Sequence, residues 1–283
     1  NNLTLWSSMF ILAACSSAVF FAANAPVHFE KSQLVCDVVY DDAHDLKLDI
    51  YRPLNEREKH DVLVFFYGGR WETGSKDQYA FAADAFVKRG FIVVIPDYRK
   101  YPAVKFPAFA QDGAKAVGWV LDHIEDYHGD KNRVFVAGHS AGAHIGSLIV
   151  SDAKYLRAEH HAPGEIKAFA GLAGPYSFTP EDEDLKDMFG PPENYAAMQT
   201  TSFIDGDEPP MLLLWGEQDK TVARYNLDRL KEKIEENHGT VVGKTYPSLD
   251  HIKILGALSW FNRNDAPVAE DMDRFFRTGK VKP

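Results

Sequence analysis

Hydrophobic and polar positions along the chain follow two rhythms in turn. Residues 34–40 and 46–51 switch between apolar and polar side chains with a period of two, which predicts two half-buried strands forming a hairpin around Asp41-Asp42. Residues 62–67, 91–95, 133–137, 167–172 and 211–215 are nearly unbroken apolar runs. Such runs suit strands covered on both faces, and residues 241–246 add an eighth strand. Between the strands the spacing is helical. Ala110, Ala114, Val117, Leu121 and Ile124 share one face of a helix that Gly129 is expected to close. Leu227, Leu230 and Ile234 mark another helix, stopped at Gly239, and Phe275 and Phe276 lie on a last one. The alternation predicts a doubly wound α/β domain, a mostly parallel eight-stranded sheet with helices on both faces and right-handed crossovers. Residues 176–210, rich in Pro, Asp and Glu, break the rhythm and are expected to form a short lid or cap insertion over one edge of the sheet.

No repeat, low-complexity run or linker divides the chain after Lys31, so residues 26–283 are expected to form one domain. Residues 1–25 differ from everything after them, because they contain no Asp, Glu, Lys, Arg or His. Ala23-Asn24-Ala25 has the small-x-small form of a signal-peptide cleavage site, and this is the first reading of the leader. The second is lipidation at Cys15 within Leu12-Ala13-Ala14-Cys15, and the third is a retained membrane anchor. All three imply an exported protein that meets a membrane only through its leader. If the leader is cleaved, Cys36 has no partner for an internal disulfide. A net charge of −10 argues against a nucleic-acid partner. No CxxC, HExxH or His/Cys cluster is present, so no metal or other cofactor is expected.

The chemistry begins at Gly138-His139-Ser140-Ala141-Gly142, which follows the apolar run Val134-Phe135-Val136-Ala137 and precedes a helical pattern. A serine on a sharp strand-to-helix turn takes strained backbone angles, and its neighbours two residues away must be small. Gly138 and Gly142 supply that space, so Ser140 is the expected nucleophile. The helix that starts at Ala141 aims N–H groups and a positive dipole end at the reacting carbonyl. His139 and His144 are expected to be packed or hydrogen-bonded neighbours rather than the base.

With this elbow the order along the chain is nucleophile, acid, then base. With His144 set aside, the histidines beyond Ser140 are His160, His161, His238 and His251. The acid is expected in Gly216-Glu217-Gln218-Asp219, after the strand at 211–215, which leaves His238 and His251 downstream. His238 sits at a helix end, where a cationic histidine suits the dipole. His251 follows the last strand through Pro247-Ser248-Leu249-Asp250 and is the better base. Glu217 and Asp219 compete as the acid, with Asp205, Asp207 and Asp250 further off. Asp219, which stands far enough past the strand to turn back, is preferred. Tyr67-Gly68-Gly69-Arg70-Trp71 ends another strand, where bare glycine backbone suits an oxyanion hole.

Taken together, LDIYRP (48–53), VFFYGGRW (64–71), VVIPDYRKYP (93–102), FPAFAQDGAKAVGWV (106–120), GHSAGAH (138–144), GLAGPY (171–176), PPMLLLWGEQDKTV (209–222) and DHIKIL (250–255) resemble the carboxylesterase family of α/β hydrolases. The likeness is to the small-esterase branch related to hormone-sensitive lipase, with feruloyl esterase-like and prenylcysteine methylesterase-like proteins. It implies an α/β-hydrolase fold, a Ser140–Asp219–His251 triad, and oxyanion donors at Gly69, Arg70 and Ala141. Two departures stand out. Tyr67 and Arg70 replace the His and third Gly of the family's HGGG-type motif, and Trp215-Gly216 replaces its late HG. Arg70 either pairs structurally or recognises a substrate carboxylate. Trp71, Tyr176, Phe178, Phe189 and Trp215 are candidates to line a small substrate pocket. The expected function is hydrolysis of small-molecule esters with short acyl groups. Amide hydrolysis of the formamidase kind, and a non-catalytic surface protein on the same scaffold, are the alternatives.

Overall fold

The computed structural model describes residues 20–25, 33–54 and 59–282. Cys15 and most of the expected leader lie outside the described residues, as do residues 26–32. Eight strands form one sheet: β1 (Gln33–Asp41), β2 (Leu46–Arg52), β3 (His60–Phe66), β4 (Ile92–Pro96), β5 (Gly129–His139), β6 (Ile166–Leu172), β7 (Met211–Gly216) and β8 (Val241–Tyr246). Their spatial order is β1-β2-β4-β3-β5-β6-β7-β8. β2 runs antiparallel to β1 and β4, and all later pairings are parallel. The unbroken apolar runs became the interior strands: every residue of β4 and β7 is buried. The alternating segments became β1, at one edge and largely exposed, and β2, which lies between β1 and β4 and is buried over Leu48–Tyr51; β8 forms the other edge.

Helices cover both faces. Phe86 of α1 (Ala80–Val87) meets Phe91, and Phe276 of the C-terminal helix (Val268–Thr278) meets Phe91 and Phe135, forming an aromatic core on one side. On the other side α2 (Ala108–His123) crosses α3 (Ala141–Ser151) closely. A Cβ at Gly113 would lie 2.7 Å from Ile145 and 3.2 Å from Phe66, so only glycine permits that approach. Two expected helix stops fall one residue early. His128 and His238, not Gly129 and Gly239, take the left-handed position, with φ of 66° and 63°. Gly239 is instead the residue after it, and its N–H donates to the Ile234 carbonyl at 2.9 Å.

Residues 176–210 do not lie over an edge of the sheet. They pack on Trp71 and α3, which follow the central strands β3 and β5: Phe178 stacks on Trp71 with centroids 5.7 Å apart, and Thr200 Oγ1 meets Ser147 Oγ at 2.7 Å. Their one longer helix, α4 (Lys154–Ala158) having come before it, is α5 (Glu183–Phe189). It buries only Met188 and Phe189. Residues 20–25 also pack on the domain. Phe20 lies 5.4 Å from the Tyr79 ring, and Asn24 Oδ1 accepts from the Phe81 N–H at 2.8 Å.

Candidate active site

β5 delivers the elbow. Ser140 stands between its last residue and α3, with φ 54° and ψ −120°, a conformation an L-residue adopts at a cost. The backbone of Ser140 is tied to the neighbouring strand, its N–H donating to the Leu172 carbonyl at 2.9 Å. The flanking glycines are sterically required. A Cβ at Gly138 would lie 2.4 Å from the Gly142 backbone, and one at Gly142 would lie 2.1 Å from the Phe66 carbonyl oxygen.

The loops after β7 and β8 carry the other two groups, and they are built against each other. Gln218 N–H donates to Leu249 O at 2.9 Å, and its side chain donates to Pro247 O at 3.0 Å. A Cβ at Gly216 would sit 2.3 Å from Leu249 O, which explains the glycine there. His251 Nε2 lies 3.0 Å from Ser140 Oγ, and His251 Nδ1 lies 2.8 Å from Asp219 Oδ2. Asp219 Oδ1 accepts from the N–H groups of Thr221 and Val222 at 2.7 and 2.9 Å. Burial pushes the Asp219 carboxyl up, but the hydrogen bonds from His251 and Val222 outweigh it and hold the pKa below the ordinary carboxylate value. The competing groups are engaged elsewhere. Glu217 is exposed and accepts from Thr245 Oγ1, Asp250 accepts from the Ile252 and Lys253 N–H groups, and His238 is exposed.

On the loop after β3, Gly69, Arg70 and Trp71 have φ of 127°, 58° and 62°. The Gly69 carbonyl accepts from Glu72 and Thr73, while the N–H groups of Gly69, Arg70 and Ala141 have no backbone acceptor among the described residues. Arg70 is structurally paired: its guanidinium reaches Asp182 and Asp184 of the insertion, both at 2.9 Å. Tyr67, where the family has histidine, braces the same loop. Its hydroxyl donates to Asp97 Oδ1 at 2.6 Å and its ring stacks on Tyr98 at 4.6 Å. Asp97 was not legible as a site residue, since nothing in its sequence neighbourhood points to Tyr67.

Of the pocket candidates, Trp71, Phe178 and Phe189 come together. Phe178 stacks on the Trp71 ring, and Phe189 and His144 meet it edge-on at 4.9 and 5.2 Å. Tyr176 is packed against Gly171 and Gly174, and Trp215 donates its indole N–H to Val222 O at 2.9 Å, bracing the acid loop. Among the described residues no group of His, Cys, Asp and Glu side chains is arranged to hold a metal ion.

A serine on such an elbow, hydrogen-bonded in series to a histidine and a buried carboxylate at the carboxyl end of a mostly parallel sheet, defines the α/β-hydrolase class. Within it, residues 48–234 match the family described as BD-FAE, and the chain belongs to that family. Among curated proteins, the chain is 32% identical over 166 residues to the probable isoprenylcysteine alpha-carbonyl methylesterase ICME of Oryza sativa, covering 57% of this chain and 39% of that one. It is 29% identical over 195 residues to esterase LipQ of Mycobacterium tuberculosis, covering 62% and 46%. The matched part thus spans less than half the length of these relatives. Among solved structures, esterase B of Lactobacillus rhamnosis superposes with a TM-score of 0.77 at 18% identity, over 97% of this chain and 94% of that one. Propionate-bound esterase Est2 of Thermogutta terrifontis superposes at 0.72 and 21% identity, over 89% and 96%.

Proposed function

We propose that the protein is a serine carboxylic-ester hydrolase acting on small esters with short acyl groups. The observation that carries this reading is the unbroken Ser140–His251–Asp219 hydrogen-bond series at 3.0 and 2.8 Å. His251 takes the Ser140 proton as Oγ attacks the ester carbonyl, and returns it to the leaving alcohol. Asp219 holds the imidazole with its proton on Nδ1 and stabilises the imidazolium. The N–H groups of Gly69, Arg70 and Ala141 receive the oxyanion. Water then repeats the cycle on the acyl-enzyme and releases the acid.

Short acyl groups suit the insertion. A lipase lid needs an apolar stripe that trades a buried face for a lipid interface. α5 instead commits Met188 and Phe189 to the interior and exposes most of its charged residues. The test is a series of nitrophenyl esters from acetate to palmitate, with and without emulsion, against a Ser140→Ala control. The fastest turnover is expected at acetate to butyrate, with no jump above the solubility limit; a long-chain maximum would overturn the assignment. A second reading, amide hydrolysis with the same triad, draws on a 30% identity over 120 residues to kynurenine formamidase of Danio rerio, covering 42% of this chain and 40% of that one. Matched ester and amide substrates separate the two.

Export is part of the proposal, supported by the uncharged, apolar residues 1–25. The Asn24 side chain also donates to Gln78 O at 3.0 Å, which favours keeping residues 20–25 in the mature chain over cleavage behind Ala25. N-terminal sequencing of the exported protein decides between them, and a start at Pro26 contradicts retention.

A further inference from the structure

We propose that His139 is a positioning residue that clamps the His251 loop against the nucleophile elbow, through a hydrogen bond from its Nε2–H to the His251 carbonyl. The inference rests on the triad described above and concerns what holds that triad in register.

His139 is the last residue of β5 and is buried with 3% of its surface exposed. Its Nε2 lies 2.8 Å from the backbone oxygen of His251, 112 residues away in sequence. A carbonyl only accepts, so Nε2 carries the proton and Nδ1 is bare. The bare nitrogen has no hydrogen-bond partner among the described residues. It is 2.8 Å from where a Cβ of Gly68 would stand, and that same Cβ would be 3.2 Å from Ser140 Cβ. One imidazole therefore touches three loops: the elbow it belongs to, the oxyanion loop at Gly68 and the base loop at His251. The base loop needs such a tie. Ile252, the next residue, is 63% exposed; the backbone of this loop is tied to the acid loop through Gln218, and among the described residues its one other bond to the elbow is the reacting His251 Nε2–Ser140 Oγ pair itself. The His139 bond, by contrast, joins the residue bearing the base directly to the strand bearing the nucleophile.

Neutrality is part of the design. The two imidazole rings are 4.9 Å apart, so a charge on His139 would oppose the imidazolium that His251 becomes during turnover. Burial, with the His251 charge second, lowers the His139 pKa to about 3, which keeps it an uncharged donor throughout the working range.

The test uses two amide side chains that differ in reach. Gln at 139 puts its amide nitrogen near the place of Nε2 and keeps the bond; Asn puts its nitrogen near that of Nδ1 and loses it. With a nitrophenyl acetate substrate, His139→Gln should keep kcat within about threefold of wild type. His139→Asn should lose about tenfold to hundredfold in kcat with KM within about twofold, because a missing buried bond and a displaced base slow chemistry rather than binding. Circular dichroism melting sets a temperature at which both variants are folded, and His139→Ser replaces the Asn variant if that chain does not fold. Equal activity of the Gln and Asn variants, whether both fast or both slow, overturns the clamp, as does a loss confined to KM. If wild type itself hydrolyses no faster than Ser140→Ala, it is the proposed function that fails, not the clamp.

Discussion

Replacing Asp219 by Asn tests the acid with a magnitude that the geometry sets. The carboxylate is shared: Oδ1 accepts from the Thr221 and Val222 N–H groups at 2.7 and 2.9 Å, and Oδ2 faces His251 Nδ1 at 2.8 Å. An asparagine oxygen must occupy the Oδ1 place, since only an acceptor can meet two N–H groups. Its NH2 then faces His251 Nδ1 and requires that nitrogen to accept. The imidazole proton moves to Nε2, the atom 3.0 Å from Ser140 Oγ, and the base can no longer take the serine proton. A tautomer inverted in this way costs about ten-thousand-fold in kcat, or about 5.5 kcal/mol, with the fold intact. Glu217→Gln is the control. Its carboxylate is exposed and accepts from Thr245 Oγ1 at 2.7 Å, a bond a Gln oxygen can keep, so kcat should stay within about twofold. The assay is steady-state hydrolysis of nitrophenyl acetate by both variants, beside Ser140→Ala. An Asp219→Asn enzyme within tenfold of wild type, or a larger loss in Glu217→Gln, would refute the reasoning.

At the oxyanion loop, Gly69→Ala should abolish turnover, because its Cβ would lie 2.3 Å from the Thr73 carbonyl oxygen at a φ of 127°. Arg70→Gly keeps the backbone N–H and removes exposed ion pairs each worth at most about 1 kcal/mol, so kcat should change by less than about fivefold; a collapse would mean that the guanidinium itself acts on substrate. Stability should fall in acid. Burial lowers the pKa values of His139 and His144 to about 3 and about 4. Above pH 7 these groups are neutral folded or unfolded; from about pH 6.5 down to 4 the unfolded chain takes up protons that the folded chain refuses. Each group then removes about 1.4 kcal/mol of stability per pH unit. His144→Gln, which keeps a donor for Met198 O, should flatten by that amount the fall in acid of the unfolding free energy measured in urea, and an unchanged pH dependence would contradict it.

The strands were legible because burial on both faces leaves a periodicity that survives in a single sequence, as at residues 62–67, 91–95 and 211–215. The elbow was legible because its G-x-S-x-G letters fall directly between an apolar run and a helical pattern, although only Gly138 is dictated by a clash within the elbow, with Gly142; Gly142 itself is dictated by the Phe66 carbonyl of the neighbouring strand. What escaped depends on contacts distant in sequence. The seat of the insertion on Trp71 is set by stacking between residues 71 and 178, and Arg70 finds its partners at 182 and 184. The helix ends were misplaced by one residue because a histidine took the left-handed position that glycine fills more easily. At 239 the glycine leaves room instead for packing: a Cβ there would lie 2.7 Å from Ile234 Cγ2 and 2.5 Å from Glu208 Oε1. His139 shows the same limit. Its identity next to the nucleophile is plain in the sequence, but its bond spans 112 residues.

The central claim is that Ser140 is activated by His251, and a fluorophosphonate probe tests it most directly, since phosphorus of this kind is attacked quickly only by an activated serine. Wild-type protein is treated at neutral pH, digested and mapped by mass spectrometry beside Ser140→Ala and His251→Gln. The account predicts a single adduct on the peptide carrying Ser140, absent from Ser140→Ala and formed far more slowly in His251→Gln. An adduct on another residue, or labelling at Ser140 that proceeds equally fast without His251, would contradict it.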